Sequence, residues 1–432
     1  MMEPVLTRYV NEPNSHTLDF YLRHQGYEGL RKALQMTPDQ VIDLVKASGL
    51  RGRGGAGFPT GMKWGFIPKD ASKPKYICCN ADESEPGTFK DHVLMERNPH
   101  LVFEGCAIGC YAIGAKVAYI YIRGEFEHVS RVLEAQLAEA YQAGYLGKNV
   151  LGSGFDCDIY VHRGAGAYEA GEETALIESL EGKRAQPRIK PPFPAVSGLY
   201  NCPTAVNNVE TLCNVPPLLV HGAEWFTGLG LEKNTGPKLF CVSGHVARPG
   251  VYEATMKTTL REIIYDYAGG VRDGRPLKAV IPGGSSVPIL MPDQLDIPAS
   301  FDHIAQAGSM LGSAAIMVMD DTTCMVWLAE NLLHFYKHES CGKCTPCREG
   351  TNWLYKLISR IERGEGRLED IDLIHAVATN IGGKTLCPFG DAAVAPALTT
   401  VQHFRHEYEA HVREGRCPLP ADWRARRPVG AH

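Results

Sequence analysis

Three cysteines at a strict spacing of three, Cys341-Gly-Lys-Cys344-Thr-Pro-Cys347, restrict this chain more than any other stretch of it. Small and turn-forming residues between them let three thiolates face one point, and such soft ligands suit an iron-sulfur cluster or zinc. Iron-sulfur clusters commonly take four thiolates, and bacterial ferredoxins supply the next one four residues on, followed by proline. Here that position is Thr351, so the ferredoxin pattern fails and a fourth ligand has to come from further along. Cys387 before Pro388 and Cys417 before Pro418 have equal standing on spacing. Structural zinc sites are usually built from two C-x-x-C pairs rather than an evenly spaced triple, which favours the cluster. A cluster moves electrons, so the rest of the chain should hold a donor.

The chain has 432 residues, enough for roughly three domains by the usual domain size. It is 44% hydrophobic and 22% charged, with a formal net charge of −5, which excludes a disordered or fibrous chain and gives nucleic acid no general attraction. Leu101 to Ala115 and Gly308 to Met319 are the most apolar stretches, and both are too short to span a membrane. The first residues have neither a basic, then apolar, leader pattern nor a transit-peptide composition, so a cytosolic protein is expected. In a reducing compartment most of the fourteen cysteines, Cys78, Cys79, Cys106, Cys110 and Cys241 among them, read as small core hydrophobes.

Three polar clusters precede the cysteine run. Thr37-Pro38-Asp39-Gln40 is a capping box that opens a helix to about Ser48. The loop after it, Arg51-Gly52-Arg53-Gly54-Gly55-Ala56-Gly57-Phe58-Pro59-Thr60-Gly61, satisfies G-x-G-x-x-G but follows a helix, unlike a dinucleotide fingerprint. Its glycines and the nearby Lys63 can bring backbone N–H groups and positive charge to a phosphate; a flexible turn is the plainer reading. A strand-like Lys75 to Cys79 ends in Asn80, Asp82, Glu83 and Glu85, and ligands of open α/β sheets bind beyond strand ends. Lys116 to Arg123 and Asp156 to His162 also read as strands, with Glu127 to Leu146 helical between them. Next comes Arg163-Gly164-Ala-Gly166-Ala-Tyr168-Glu-Ala-Gly171-Glu172-Glu173, running into a helix to Leu180, where the glutamates could simply complement the helix dipole. Asn207-Asn208-Val-Glu210-Thr211 is the third cluster, and its amides suit a flavin edge or a turn.

Together these segments resemble the NADH-binding flavoprotein subunit of respiratory complex I, NADH:quinone oxidoreductase, a 51 kDa-type family also known as the F subunits, from Gly52 to about Ala393. Glu339-Ser-Cys341-Gly-Lys-Cys344-Thr-Pro-Cys347-Arg348-Glu-Gly350 matches its cluster signature in full. Gly164 to Leu176 matches its flavin signature except at Glu169 and Ala170, where the family usually has an aliphatic residue and a cysteine, so a charge is added near the expected flavin.

The resemblance implies FMN, a 4Fe-4S cluster, and NADH as substrate. FMN would be held by Gly52, Arg53, Gly54, Lys63, Asn80, Asp82, Tyr168, Gly171, Glu173, Asn207, Asn208 and Thr211; Gly55, Gly57, Glu83 and Val206 count among the same cofactor-binding positions. NADH would meet Phe58, Phe66, Glu85, Glu172 and Lys190, with Glu85 and Glu172 in the catalytic role. The cluster ligands become Cys341, Cys344, Cys347 and Cys387, the last through Lys384-Thr-Leu-Cys387-Pro-Phe-Gly-Asp391, and Cys417 is left free. Hydride would pass from nicotinamide to flavin and electrons singly to the cluster, which asks the protein for positioning and tuned potentials rather than strong acids or bases. Lys343 and Arg348 would place positive charge beside the cluster.

The expected fold is α/β and α+β multidomain. A Rossmann-like FMN- and NADH-binding domain occupies 1–235, a small ubiquitin-like β-grasp domain 236–324 and a helical bundle carrying the cluster 325–432. Trp327, Leu328, Leu332 and Phe335, then Trp353, Leu354 and Leu357, give that bundle its helical periodicity. The implied partners are a small thioredoxin-like 2Fe-2S subunit and a large multi-cluster iron-sulfur subunit. They would form the peripheral arm of a membrane complex on the cytoplasmic face of the bacterial inner membrane. The alternative is the diaphorase subunit of a NAD-linked hydrogenase or formate dehydrogenase. Such homologues often carry fused ferredoxin-like extensions with more Cys motifs, which this sequence lacks, and the respiratory subunit is expected.

Overall fold

The computed structural model describes residues 2–70 and 72–420. They form two compact units, one of residues 2–84, 88–240 and 251–258, the other of 85–87, 241–250 and 259–420. Residues 421–432, assigned above to the C-terminal bundle, lie outside the described residues, as do Met1 and Ala71.

The first unit is built on four parallel strands, β1 (Tyr76–Ala81), β2 (Val117–Ile122), β3 (Asp158–Arg163) and β4 (Thr204–Asn208), in the order β3-β2-β1-β4. β2 is β-branched or aromatic at every position but Ala118, and β1 buries Ile77, Cys78, Cys79 and Ala81, as strands covered by helices require. The helices that matter for the cleft and its support are α1 (Pro38–Ala47), α2 (Thr60–Gly65), α3 (Asp91–Arg97), α4 (Pro99–Ile113), α5 (Glu127–Gln142) and α6 (Glu173–Leu180). α1 opens on the expected capping box: Gln40 N–H donates to Thr37 Oγ1 at 3.3 Å, and Thr37 N–H to Gln40 Oε1 at 2.8 Å. The apolar stretch from Leu101 is α4, buried on every side except Tyr111, as befits a helix hydrophobic all round at the centre of a soluble core. No helix among the described residues is long and apolar enough to cross a membrane.

Strands β1, β2 and β3 follow one another across the sheet, after which the chain adds β4 on the far side of β1. The winding therefore reverses between β1 and β4, and open α/β sheets take their ligands at such a reversal, outside the carboxyl ends of the strands.

α4 also carries two buried titratable groups of opposite effect. Glu104 accepts N–H bonds from Tyr27 and Leu30, both at 2.8 Å, and the Tyr21 hydroxyl, and burial pushes its carboxyl up to about 7. His100 contacts the Tyr27 hydroxyl and Gln136 Oε1, each at 3.0 Å, and burial lowers its pKa to about 4. A histidine lowered from 6.5 to about 4 binds fewer protons folded than unfolded, so its stabilisation is present above pH 6.5 and lost as the pH falls toward 4. Comparing the wild type with His100→Gln isolates this contribution from that of Glu104. The stability difference between them should grow by about 3 kcal/mol from pH 4 to pH 6.5, measured by urea unfolding. A flat difference would contradict it.

In the second unit the end of β5 (Pro237–Gly244) pairs in parallel with β8 (Ala315–Asp320), and β7 (Leu277–Ile281) pairs antiparallel to β8 with a bulge at Leu277/Ala279. β6 (Gly250–Thr255) falls almost wholly in the first unit. Four long helices follow: α7 (Met325–Glu339), α8 (Thr345–Glu362), α9 (Leu368–Thr379) and α10 (Phe389–Glu414). Val326, Leu333, Leu354, Ile358, Ile371, Ile374 and Tyr408 share their common core. α10 carries Pro396 in its interior and is interrupted at Phe404, where the backbone leaves helical geometry. Of the residues read as the bundle's apolar face, Trp353 is instead exposed.

Candidate functional site

Four segments of the first unit converge on the crevice between β1 and β4. The glycine loop runs from α1 into α2 and is closed by Gly52 N–H to Phe58 O and Thr60 N–H to Leu50 O, both 2.8 Å. A Cβ on Gly54 would lie 2.9 Å from Asn208 Cβ, so only glycine lets the loop pack on the end of β4. Gly55 has φ +141 and open space around the position a Cβ would take, which leaves its backbone accessible to a ligand group. On the strand ends, Asn80 Nδ2 donates to Gly171 O at 2.8 Å, tying β1 to the segment before α6. Asn207 Oδ1 accepts from buried Trp64 Nε1 at 2.9 Å.

Charge in the cleft is paired. Lys63 Nζ lies 3.1 Å from both Glu173 Oε2 and the Val206 carbonyl, and Lys190 Nζ is 3.0 Å from Glu172 Oε1 and 2.8 Å from Glu173 Oε1. Burial works against the charge of Glu173, but Lys63 and Lys190 outweigh it and hold its carboxyl below the ordinary value. Glu173 and Glu172 in turn raise Lys190 against its own burial. Glu172 also caps α6, its Oε2 accepting from Thr174 N at 2.8 Å and Ala175 N at 2.9 Å, so the helix-dipole reading of that position holds alongside the ion pair. Phe58 and Phe66 are 43% and 56% exposed with ring centroids 6.2 Å apart, an unusual presentation of two aromatic faces beside a polar cleft.

Several expected contact residues have other employment. Arg53 is fully buried; its guanidinium donates to Thr235 O at 2.6 Å, its backbone N–H to Thr211 Oγ1 at 2.7 Å, and burial lowers its pKa to about 10. Arg53 and Thr211 thus hold the loop down rather than offering side chains to a ligand. Buried Glu83 accepts from the backbone N–H groups of Lys90, Asp91 and His92 and from the His92 ring, which anchors the start of α3. Val206 offers the cleft its carbonyl, while its side chain packs with Cys78, Ala170 and Leu176. Tyr168 and Gly171 belong to a short 3-10 turn before α6, and Asp82 Oδ2 accepts from Ser84. Glu169 is 4% exposed, so the departure from the family signature puts its carboxyl inside the protein rather than in solvent. Glu85 belongs to the second unit, where it accepts from Ser286 N at 2.9 Å and Ser285 Oγ at 3.2 Å.

A support that the sequence pattern does not reveal lies beneath β4. Asn208 Nδ2 donates to Asp91 Oδ2 at 2.7 Å, and Lys90 Nζ pairs with Asp91 at 2.8 Å and with Glu210 at 2.9 Å. Lys238 Nζ meets the same Glu210 at 2.7 Å. All four charges are buried, so each depends on its partner and the network fixes where Asn208 points.

In the second unit Cys344 is the N-cap of α8 and Cys347 lies in its first turn. Gly342 takes φ +79 between Cys341 and Cys344. Leu386 N–H points at Cys344 Sγ at 3.4 Å, which brings the segment of Cys387 beside the run. Arg348 donates to Gly342 O at 2.7 Å and to Glu349 at 2.9 Å, so it braces the turn and its charge is partly matched. Cys417, read as no ligand of the cluster, is a free thiol that lies beside Cys324 and His411.

The amides, hydroxyl partners, ammonium groups and open glycine backbone of the cleft are the donor set that a flavin mononucleotide takes, and four thiols on a turn and helix start suit an iron-sulfur cluster.

Comparison with known proteins agrees with this chemistry. The family model described as the Nuo51 FMN-binding domain matches residues 45–217. The NADH-ubiquinone oxidoreductase-F iron-sulfur binding region matches 327–411, and an SLBB domain 238–318. The NADH-quinone oxidoreductase F subunit 2 of Rhizobium meliloti is 56% identical over 97% of this chain and all of its own length. The F subunit of the same enzyme in Streptomyces coelicolor is 54% identical over 97% of this chain and 93% of its own. Among solved structures, an NAD+-reducing [NiFe]-hydrogenase in the air-oxidized state superposes with a TM-score of 0.82 at 36% identity, over 95% of this chain and 67% of that one.

Proposed function

The chain belongs to the family of NADH-quinone oxidoreductase F subunits, and from that premise we propose how its parts divide the work of oxidising NADH. It is the electron-entry subunit of a larger oxidoreductase complex: FMN takes the hydride of NADH, and a 4Fe-4S cluster carries the electrons onward one at a time. The observation that carries the assignment of residues is the meeting of the glycine loop, Asn80, Lys63 and Asn207 at the reversal point of the parallel sheet.

In our reading the backbone of Gly52, Gly54, Gly55 and Gly57 would receive the FMN phosphate. Asn80, Asp82, Asn207 and Asn208 would hold hydroxyls and ring edge, and Lys63 with Glu173 would set the charge beside the ring. Tyr168 and Gly171 shape the wall. Arg53, Thr211, Val206 and Glu83 keep this geometry from behind. Phe58 and Phe66 offer faces to the flat rings of NADH, while Glu172 and Lys190 would bind its polar groups. Glu172 remains the catalytic candidate, acting by orienting NADH rather than by moving a proton. Cys341, Cys344, Cys347 and Cys387 would hold the cluster, and the Leu386 N–H aimed at Cys344 would raise its potential.

We further assign the stretches 1–235, 236–324 and 325–432 to flavin binding, the ubiquitin-like module and cluster binding. As partners we propose a small thioredoxin-like 2Fe-2S subunit and a large multi-cluster iron-sulfur subunit, in a peripheral arm on the cytoplasmic face of the bacterial inner membrane. The hydrogenase likeness at 36% identity, against 56% to the respiratory protein, favours this over the diaphorase alternative.

The test is the absorption spectrum of anaerobically purified full chain before and after NADH, with iron, zinc and acid-released flavin measured on the same sample. Flavin bands that bleach with NADH, together with about four iron per chain, are expected. A colourless zinc protein indifferent to NADH would sink the reading.

A further inference from the structure

Four donor groups with no part in the cleft or the cysteine run meet inside the helical bundle. Cys324 is the N-cap of α7, Glu362 the last residue of α8, His411 lies in the last turn of α10, and Cys417 follows it. Cys324 Sγ is 3.4 Å from His411 Nε2 and 3.6 Å from Glu362 Oε2, and His411 Nε2 is 3.1 Å from that same carboxylate oxygen. The ligand atoms of Cys324, His411 and Cys417 all lie within 4.8 Å of one another. Cys324, Glu362 and His411 are buried, and Cys417 is partly so.

These lengths are the edges of a tetrahedron around a single ion. Zinc bonds of about 2.3 Å to sulfur and about 2.05 Å to nitrogen or oxygen, at tetrahedral angles, separate sulfur from nitrogen or oxygen by about 3.6 Å and nitrogen from oxygen by about 3.3 Å. The three measured edges depart from those values by no more than about 0.2 Å. The imidazole is also set up as a ligand. Its Nδ1 lies 2.7 Å from the Glu407 carbonyl, which accepts only a donated N–H, so the neutral ring that binds a metal has its lone pair on Nε2, on the side of the thiols.

We propose that Cys324, His411 and Cys417 bind one Zn²⁺, with the Glu362 carboxylate as fourth ligand. Two thiolates, a neutral imidazole and a carboxylate form a closed set that leaves no position for substrate, so the role is structural. The ion ties the start of α7 and the end of α8 to the segment beyond α10, closing a bundle whose last helix is interrupted at Phe404. Binding releases the two thiol protons, and no oxidant or reductant is involved.

The experiment measures zinc and iron in the full chain, purified without chelators, for the wild type and for Cys417→Ser, His411→Gln and Cys344→Ser. About one zinc per wild-type chain is expected beside the cluster iron. It should vanish in Cys417→Ser and His411→Gln with iron and flavin retained, and persist in Cys344→Ser. Because either variant could misfold, the wild type is also grown with Co²⁺, where strong tetrahedral d–d absorption with thiolate charge-transfer bands is expected. A wild type without zinc or cobalt bands would overturn the site. So would zinc that disappears with Cys344→Ser instead, or a Cys324–Cys417 disulfide found by mass spectrometry of the unreduced protein.

Discussion

Cys344→Ser is expected to remove the iron of the chain, from about four per molecule to near none, while flavin stays bound. Cys344 is the N-cap of α8, and it is the sulfur that Leu386 N–H faces. Serine is a hard, weakly acidic oxygen in that place and cannot replace a soft ligand. NADH should still reduce an artificial acceptor that takes electrons at the flavin, whereas transfer to any acceptor beyond the cluster should fall to background. Cys387→Ser should copy this phenotype and Cys417→Ser should leave iron untouched. The reverse result would move the fourth ligand to Cys417 and disprove the assignment of Cys387. Iron analysis and the two acceptor assays decide it.

Gly54→Val should be the most damaging single change in the cleft. The added Cβ would stand 2.9 Å from Asn208 Cβ, and Asn208 cannot yield because its amide is bonded to buried Asp91. The loop must lift instead, at a cost of about 1–3 kcal/mol typical of overpacking, which weakens flavin binding about 5- to 150-fold. Acid-released flavin and the dissociation constant for FMN by fluorescence quenching measure this. Gly228→Ala, at a position with open space and no positive φ, is the control and should bind FMN normally. Equal losses in both variants would mean that general stability, not the loop, is being read.

Much of the architecture is legible in local patterns. The capping box at Thr37, the aromatic and β-branched run of β2, the glutamates opening α6 and the cysteine spacing of three each depend on neighbours in the chain, and those neighbours are visible. The same is true of the glycine loop, which was read as following a helix and does follow α1; that it leads into a short helix, α2, was not read. Charged residues were harder. Arg53 and Glu83 look like surface groups waiting for a ligand, yet both are buried and bonded to backbone. Nothing local marks Lys90, Asp91, Glu210 and Lys238 as one network, because the partners are brought together by strand pairing across long separations, 117 residues between Asp91 and Asn208.

The division follows from the range of the forces. Periodicity, capping and ligand spacing act over a few residues and so can be read along the chain; they supplied three of the four parallel-sheet segments, the first two bundle helices and the chemistry of the cysteine run, while β4 was legible only as a polar cluster. Which polar groups lose water, and which partner then compensates them, depends on contacts made only after folding. That is why the reversal of winding between β1 and β4, the pairing of Lys63 and Lys190 with Glu173, and the meeting of Cys324 with His411 across 87 residues belong to the tertiary structure alone.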